Sequence, residues 1–229
     1  MVRKTYSGVA IALVALFIGG VLGWGFKSTV LAGTPLPVSN LPMVGIGGGP
    51  GTSSNDATNV VSLNNLLVQH TVLMTLHLQE VYDGKDTSAS SQQIKDTGQQ
   101  IANLIGGQYG DSAKNDFLSL WQKYVTEYED YARALKSNDA NTMTTAKTNL
   151  ANLSDEMGGY LNTVDSDISP TQVTTMMNDH VMLTLSTVDA YARKDQGAVD
   201  RQIKAASDQA TEFAAYLIQV SSPTQAPVY

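Results

Sequence analysis

The chain carries one short apolar motif three times, and this repetition limits the folds that are open to it. The sequence LLVQH at residues 66–70 recurs as LWQKY at residues 120–124 and as MMNDH at residues 176–180. Each copy lies among apolar residues spaced three and four apart, which is the period of an amphipathic helix. The spacing therefore predicts three equivalent helices, with the last residue of each copy at a matching position.

The rest of the pattern predicts six amphipathic helices joined in three hairpins. Their predicted ranges are 60–83, 90–107, 112–137, 140–163, 170–194 and 197–221. We expect Gly84 to end the first helix and Gly106 with Gly107 to end the second, because glycine is common just beyond a helix. Ser169 followed by Pro170 is typical of a capped helix start.

The predicted fold class is therefore all-α. A folded domain is expected over residues 60–222, followed by a short tail at 223–229. Three repeats are few for an open solenoid, so we expect a closed helical bundle with the odd-numbered helices nearest its centre.

An uncharged stretch at residues 5–26 precedes this domain, and Gly8 and Trp24 bound its most apolar part. The stretch is long enough to cross a bilayer as one helix. Arg3 and Lys4 precede it, which places the N-terminus in the cytoplasm and the domain outside. Residues 1–32 are thus predicted to be a signal-anchor in the lipid bilayer. The alternative is a signal peptide cleaved after Ala32, which would release the domain as a secreted protein.

Residues 33–59 are rich in glycine, proline and serine and contain the run GIGGGPG. Such a composition disfavours a helix and has little to bury, so a flexible linker is predicted between the anchor and the domain.

Charge and cysteine content exclude several classes of partner and site. The chain beyond Lys27 has 21 acidic and 11 basic residues, a formal net charge of −10. This balance argues against nucleic acid as a partner. The chain has no cysteine, which excludes disulfides and thiolate metal sites.

The three histidines of the chain are predicted to point into the bundle. His70 and His77 share the apolar stripe of the first helix, and His180 lies on the stripe of the fifth. His70 and His77 are two turns apart, roughly 10 Å, which is too far to share one ion directly. The repeat instead brings together His70 and His180, with Tyr124 at the matching position of the third helix.

A metal site at this point is predicted to use His70 and His180, with Met74 and Met177 as soft neighbours. Imidazole and thioether ligands without thiolate favour copper, particularly Cu(I), among the transition metals. Two facing histidines also suit haem in a bundle core. The third interpretation needs no ligand: inward histidines, including His77, are hydrogen-bonded core residues.

No motif for catalysis accompanies these residues. The positions three before each histidine hold Leu67, Met74 and Met177, so the Glu-x-x-His motif of di-iron carboxylate bundles is absent. The sequence also lacks His-Glu-x-x-His, a phosphate-binding glycine loop and Gly-x-Ser-x-Gly. We therefore expect a protein that is not an enzyme.

In the motif copies, Asp179 precedes His180, whereas Gln69 precedes His70 and Lys123 precedes Tyr124. Across residues 63–220 the chain resembles an uncharacterised family of prokaryotic exported or membrane-anchored proteins. In these proteins, helices of a repeated hairpin carry an acidic residue followed by histidine. The resemblance implies a helical fold outside the cytoplasm and no defined activity.

The sequence thus favours a binding or structural module at the cell surface, anchored in the membrane and without catalysis. A protein partner at the surface is compatible with this interpretation. The alternative is a protein that binds a transition metal such as copper through its inward histidines and methionines.

Overall fold

The computed structural model describes residues 54–221, and within them the chain is entirely helical with six helices. Their bounds are α1 Ser54–Asp83, α2 Ser88–Tyr109, α3 Asp111–Ser137, α4 Ala140–Val164, α5 Pro170–Ala192 and α6 Gln196–Val220. The predicted all-α class and the number of helices are confirmed. The predicted signal-anchor and most of the predicted linker lie outside the described residues. Within the described part, no helix is long and apolar enough to span a membrane.

Two helix bounds differ clearly from the prediction. Helix α1 begins at Ser54, six residues earlier than expected, since residues 54–59 contain no glycine or proline that would interrupt a helix. Helix α2 continues through Gly106 and Gly107 to Tyr109 and ends at Gly110, whose φ is 93°. A positive φ is readily adopted only by glycine, so Gly110 rather than the earlier pair stops the helix.

The other predicted boundary signals are confirmed. Gly84 follows α1 with a φ of 73°, which stops the helix there. The Ser169 side chain accepts a hydrogen bond from the Gln172 N–H at the start of α5, and Pro170 occupies the first turn. Asp139 caps α4 and Asp195 caps α6 in the same way. Each cap satisfies N–H groups that have no partner within the helix.

The helices pack as an inner group and an outer group. Helices α1, α3 and α5 contact one another at the centre. Helix α2 packs between α1 and α3, α4 between α3 and α5, and α6 between α5 and α1. This cyclic arrangement confirms the expectation that odd-numbered helices lie nearest the centre. It places the motif copies of α1, α3 and α5 around one common axis.

Three polar side-chain pairs join the inner helices in a cycle that we call the polar belt. The pairs are His77 with Glu129 at 2.9 Å, Tyr131 with Asp189 at 2.8 Å, and Tyr191 with Asp83 at 2.8 Å. They connect α1 to α3, α3 to α5 and α5 back to α1, in each case from an aromatic donor to a carboxylate. Charged acceptors strengthen such hydrogen bonds in a poorly hydrated site. The belt therefore fixes the three inner helices at the end of the bundle where α1 finishes.

Helices α4 and α5 approach closely at Gly158. A Cβ on this residue would lie 2.6 Å from the carbonyl oxygen of Pro170 and 2.7 Å from Thr174 Oγ1. The neighbouring Gly159 has no atom within 4 Å of its Cβ position. The sequence Met157-Gly-Gly-Tyr160 therefore contains one glycine required by packing and one that is exposed.

These two glycines predict opposite effects of the same substitution. Gly158→Ala should lower the free energy of unfolding by about 1–3 kcal/mol, because backbone atoms must move to admit the methyl group. Gly159→Ala should raise it by about 0.5–1 kcal/mol, because alanine loses less conformational freedom in a helix. Urea unfolding followed by circular dichroism measures both. Equal effects of the two substitutions would contradict the close approach.

Candidate functional site

An apolar cavity of about 200 Å³ lies inside the bundle, in the half that contains the start of α1. All six helices contribute to its wall, and so does Ile168 in the loop before α5. At one end of the cavity lie buried residues such as Tyr128 and Ile101, whereas at the other end Gln108 is exposed. The cavity therefore has an inner end in the middle of the bundle and a mouth near the ends of α2 and α6.

The mouth is bordered by a hydrogen-bonded tyrosine. The Tyr109 hydroxyl lies 3.2 Å from Asp165 Oδ2 and 3.5 Å from Ser221 Oγ, which joins the end of α2 to the loop after α4 and to the end of α6. Burial of this hydroxyl raises its pKa, so it stays protonated at neutral pH. Tyr109 thus narrows the mouth without adding charge to it.

The inner end holds both histidines that the repeat had paired. The imidazole ring centres of His70 and His180 are 6.1 Å apart, with an angle of 30° between the ring planes. Met177 lines the same wall, one turn before His180 on α5. The three residues that the repeat predicted to lie together thus line one cavity. Met74 is fully buried in the core but is not part of the cavity wall.

Tyr124, at the matching position of α3, lines the same cavity but does not bond to either histidine. Its hydroxyl lies 2.8 Å from Ser154 Oγ on α4, and Ser154 donates in turn to the Leu150 carbonyl. Burial raises the pKa of Tyr124, so the hydroxyl remains neutral and acts as the donor to Ser154. In this copy of the motif the polar group is therefore used to hold α4 against α3.

His77 belongs to the polar belt rather than to the cavity. Its Nδ1 lies 2.9 Å from Ser90 Oγ and its Nε2 donates to Glu129 Oε1 at 2.9 Å. The hydrogen bond from His77, together with Arg133, lowers the pKa of Glu129. His77 is completely buried and both ring nitrogens are occupied. The interpretation of an inward histidine as a hydrogen-bonded core residue is thus confirmed for His77.

The two cavity histidines are held in the neutral form. Burial and, to a smaller extent, the nearby His180 together lower the pKa of His70 to about 3. Burial also lowers the pKa of His180 to about 4, and hydrogen bonding to the Gln209 side chain partly opposes this effect. Each imidazole therefore keeps a nitrogen lone pair at neutral pH, which is required to bind a metal ion or to accept a hydrogen bond.

Trp121 is a wall residue whose role the motif did not reveal. Its indole ring lies 4.2 Å from the His70 ring, centre to centre, and 5.5 Å from Phe117. A Cβ on Gly98 of α2 would overlap the indole, so this glycine makes room for Trp121. The tryptophan was visible in the second copy of the motif, but its contact with His70 depends on how α1 and α3 are rotated against each other.

Gln209 is a second residue that the sequence pattern did not mark. Its Nε2 donates to the Met176 carbonyl at 2.7 Å, which fixes the amide beside His180. The only available signal was a glutamine among small residues on the stripe of α6. By contrast, Asp179, the acidic residue of the acid-His motif, is exposed and is not part of the cavity wall.

Among the residues that the structure describes, no Asp, Glu, Lys or Arg side chain lines the cavity. In the described part of the chain, no group of three or more His, Asp and Glu residues is arranged to hold a metal ion. The His70 Nδ1 and Trp121 Nε1 atoms are buried, and no residue within the described range 54–221 hydrogen-bonds to them. An uncharged cavity with two neutral imidazoles at its inner end can accept a small ligand of low charge.

Comparison of the chain with protein-family models, with curated proteins and with solved structures found no match.

The neutral histidines predict a specific loss of stability in mild acid. In the unfolded chain they titrate near pH 6.5, but in the folded chain only near pH 3 to 4. Between these values the unfolded state binds more protons. Above about pH 6.5 the free energy of unfolding should therefore not depend on these two groups. As the pH is lowered from about 6.5, the free energy of unfolding should decrease by up to ~1.4 kcal/mol per pH unit for each histidine.

Urea unfolding at several pH values between about 7 and 5 measures this pH dependence. Most carboxyl groups titrate below this range and therefore contribute little to it. His180→Leu should flatten it, because one of the two titrating groups is removed. Met182→Leu, an exposed change on the same helix, should leave it unaltered. The same pH dependence in all three proteins would show that the histidines are not held neutral by the fold.

Proposed function

We propose that this protein is an extracytoplasmic binding module, anchored in the membrane by its N-terminal helix, and that the central cavity is its binding site. The observation that carries the proposal is the cavity itself, an uncharged space of about 200 Å³ with two neutral imidazoles at its inner end. Protein cores are normally close-packed, and cavities of this size are few. A cavity of roughly 150 Å³ is known to hold a single aromatic ring, which sets the scale of the ligand.

The surroundings of the cavity support binding rather than catalysis. General acid–base work by histidine generally needs a group that orients the imidazole. Among the described residues, His70 Nδ1 has no such partner, and His180 is flanked by an amide rather than a carboxylate. The histidine that does bond to a carboxylate, His77, is completely buried in the polar belt. We therefore propose a non-catalytic role.

The location follows from the sequence before the bundle. Residues 5–26 are uncharged and Arg3 and Lys4 lie on their N-terminal side. The bundle would then stand outside the membrane on a glycine-rich linker. Its formal charge of −10 beyond Lys27 disfavours contact with anionic lipid headgroups and supports a domain held away from the bilayer.

Filling the cavity tests the binding site. In the full chain with Trp24→Phe, Trp121 is the remaining tryptophan, and bromobenzene entering the cavity should quench its fluorescence. Ala210 lies on the wall and is 4 % exposed, so Ala210→Leu should fill the space and weaken bromobenzene binding at least ~10-fold, which corresponds to about 1.4 kcal/mol.

Ala215→Leu provides the matched control, because Ala215 lies on the same helix but is exposed. It should leave the quenching by bromobenzene unchanged. Thermal unfolding of both variants checks that each is folded. If bromobenzene quenched none of the proteins in a saturable way, the proposal that the cavity admits ligands would be contradicted. Quenching that is equally strong after Ala210→Leu would contradict it as well.

The absence of cysteine allows a direct test of location. Thr145 is exposed on α4, so Thr145→Cys adds a single accessible thiol to the chain. A membrane-impermeant maleimide should label it in intact cells, and the labelled protein should sediment with the membranes. Val2→Cys should be labelled only after permeabilisation. Labelling of Thr145→Cys only after lysis would exclude an extracytoplasmic domain, whereas a soluble product that begins at Gly33 would establish cleavage instead of an anchor.

A further inference from the structure

The contacts around the histidine pair at the inner end of the cavity are incomplete, because they leave His70 Nδ1 without a hydrogen-bond partner among the described residues. Burying an imidazole costs free energy unless its nitrogens find partners. His77 meets this requirement, because both of its ring nitrogens are hydrogen-bonded to other side chains of the bundle. His70 instead has a buried Nδ1 without a partner, and it lies against a second imidazole rather than an acceptor. A polar group of this kind is accounted for when a bound ion or molecule completes its contacts.

The spacing of the two rings matches that of a shared metal ion. Metal–nitrogen bonds to histidine are about 2.0 Å long, so two imidazoles on opposite sides of one ion have ring centres about 6 Å apart. The observed distance between the ring centres of His70 and His180 is 6.1 Å. The histidines come from two inner helices, α1 and α5, which contact each other. These two helices therefore hold the imidazoles at a separation that one ion can span.

The chemistry of the wall selects among metals. None of the described residues that line the cavity is a carboxylate, and the chain has no cysteine, so this wall does not neutralise the charge of a dication. A monovalent ion has a lower cost of transfer into such a site. Met177 lies one turn from His180, where residues three apart on a helix are neighbours, and its thioether is a soft ligand. Two imidazoles with a thioether suit Cu(I) better than zinc, calcium or magnesium.

We infer that the inner end of the cavity is a Cu(I) site in which His70 and His180 bind the ion from opposite sides and Met177 supplies a third, weaker ligand. The inference rests on the proposed function, because the ion must enter through the cavity. The Trp121 indole packs beside His70 at a ring-centre distance of 4.2 Å. Gln209 is positioned to orient the His180 ring, as second ligand-shell groups do in metal sites.

The size of the cavity favours an ion over haem. Two histidines facing each other at this distance also suit haem, but a space of about 200 Å³ accommodates one or two rings and not a porphyrin. The residues between the mouth and the histidines are predominantly apolar, which leaves a dry approach for a weakly hydrated ion. The haem alternative would require the bundle to open.

Copper binding should be measured on the full chain, purified in detergent without chelators. Under anaerobic conditions, tetrakis(acetonitrile)copper(I) is titrated in competition with bicinchoninate. We expect one equivalent of Cu(I) per chain. His180→Gln should lower the affinity for Cu(I) at least ~100-fold, and Met177→Leu about 10-fold. Substituting a residue that only orients a metal ligand lowers metal affinity about 10- to 100-fold, and loss of a strong ligand should lower it no less. X-ray absorption should report two nitrogen neighbours and one sulfur.

Met182→Leu is the matched control, since Met182 lies on the same helix and is 60 % exposed. Should His180→Gln fail to fold, the volume-conserving Met177→Leu still tests the site. Absence of Cu(I) binding, binding unchanged by both ligand substitutions, or tighter binding of Zn²⁺ through the same residues would overturn the inference. Saturable binding of bromobenzene without any Cu(I) binding would overturn the copper site alone, whereas loss of both would also remove the proposed function.

Discussion

The polar belt is the interaction on which the arrangement of the bundle depends. Each of its three hydrogen bonds joins a different pair of inner helices, so together they fix the helices in rotation and along their axes. Apolar packing alone tolerates small sliding movements, because hydrophobic contact has little directional preference. Hydrogen bonds between aromatic donors and carboxylates are directional and costly to leave unmade. The outer helices α2, α4 and α6 then fill the grooves between helices whose positions are already set.

The belt also explains why a cavity is tolerated in the other half of the bundle. An unfilled space of about 200 Å³ costs stability, since lining atoms lose packing partners. The end that contains the belt supplies specific contacts that do not depend on filling this space. The stable half of the molecule thereby supports a half that is less completely packed. A binding site built on rigid helices is also positioned more precisely than one built on loops.

The sequence predicted the candidate site only in part. It placed His70, His180 and Met177 together, because a repeat on three helices of one bundle brings matching positions near a common axis. It did not predict the contact of Trp121 with His70, the position of Gln209 or the cavity itself. These features depend on distances of a few ångström between helices, which are set by close contacts such as Gly98 against Trp121 and Gly158 against Pro170. No periodic pattern in a single helix contains that information.

Local chemistry in the sequence determined the helical class, the number of helices and their capped starts, because periodicity, proline and capping side chains act within a few residues. The same chemistry made all three histidines face inward. Only the tertiary structure decided that His77 is hydrogen-bonded at both ring nitrogens, while His70 lies beside His180 with a buried Nδ1 that no described residue bonds. The physical reason is that a partner such as Glu129 lies 52 residues from His77 along the chain and meets it only when α1 and α3 pack in one particular rotation and register.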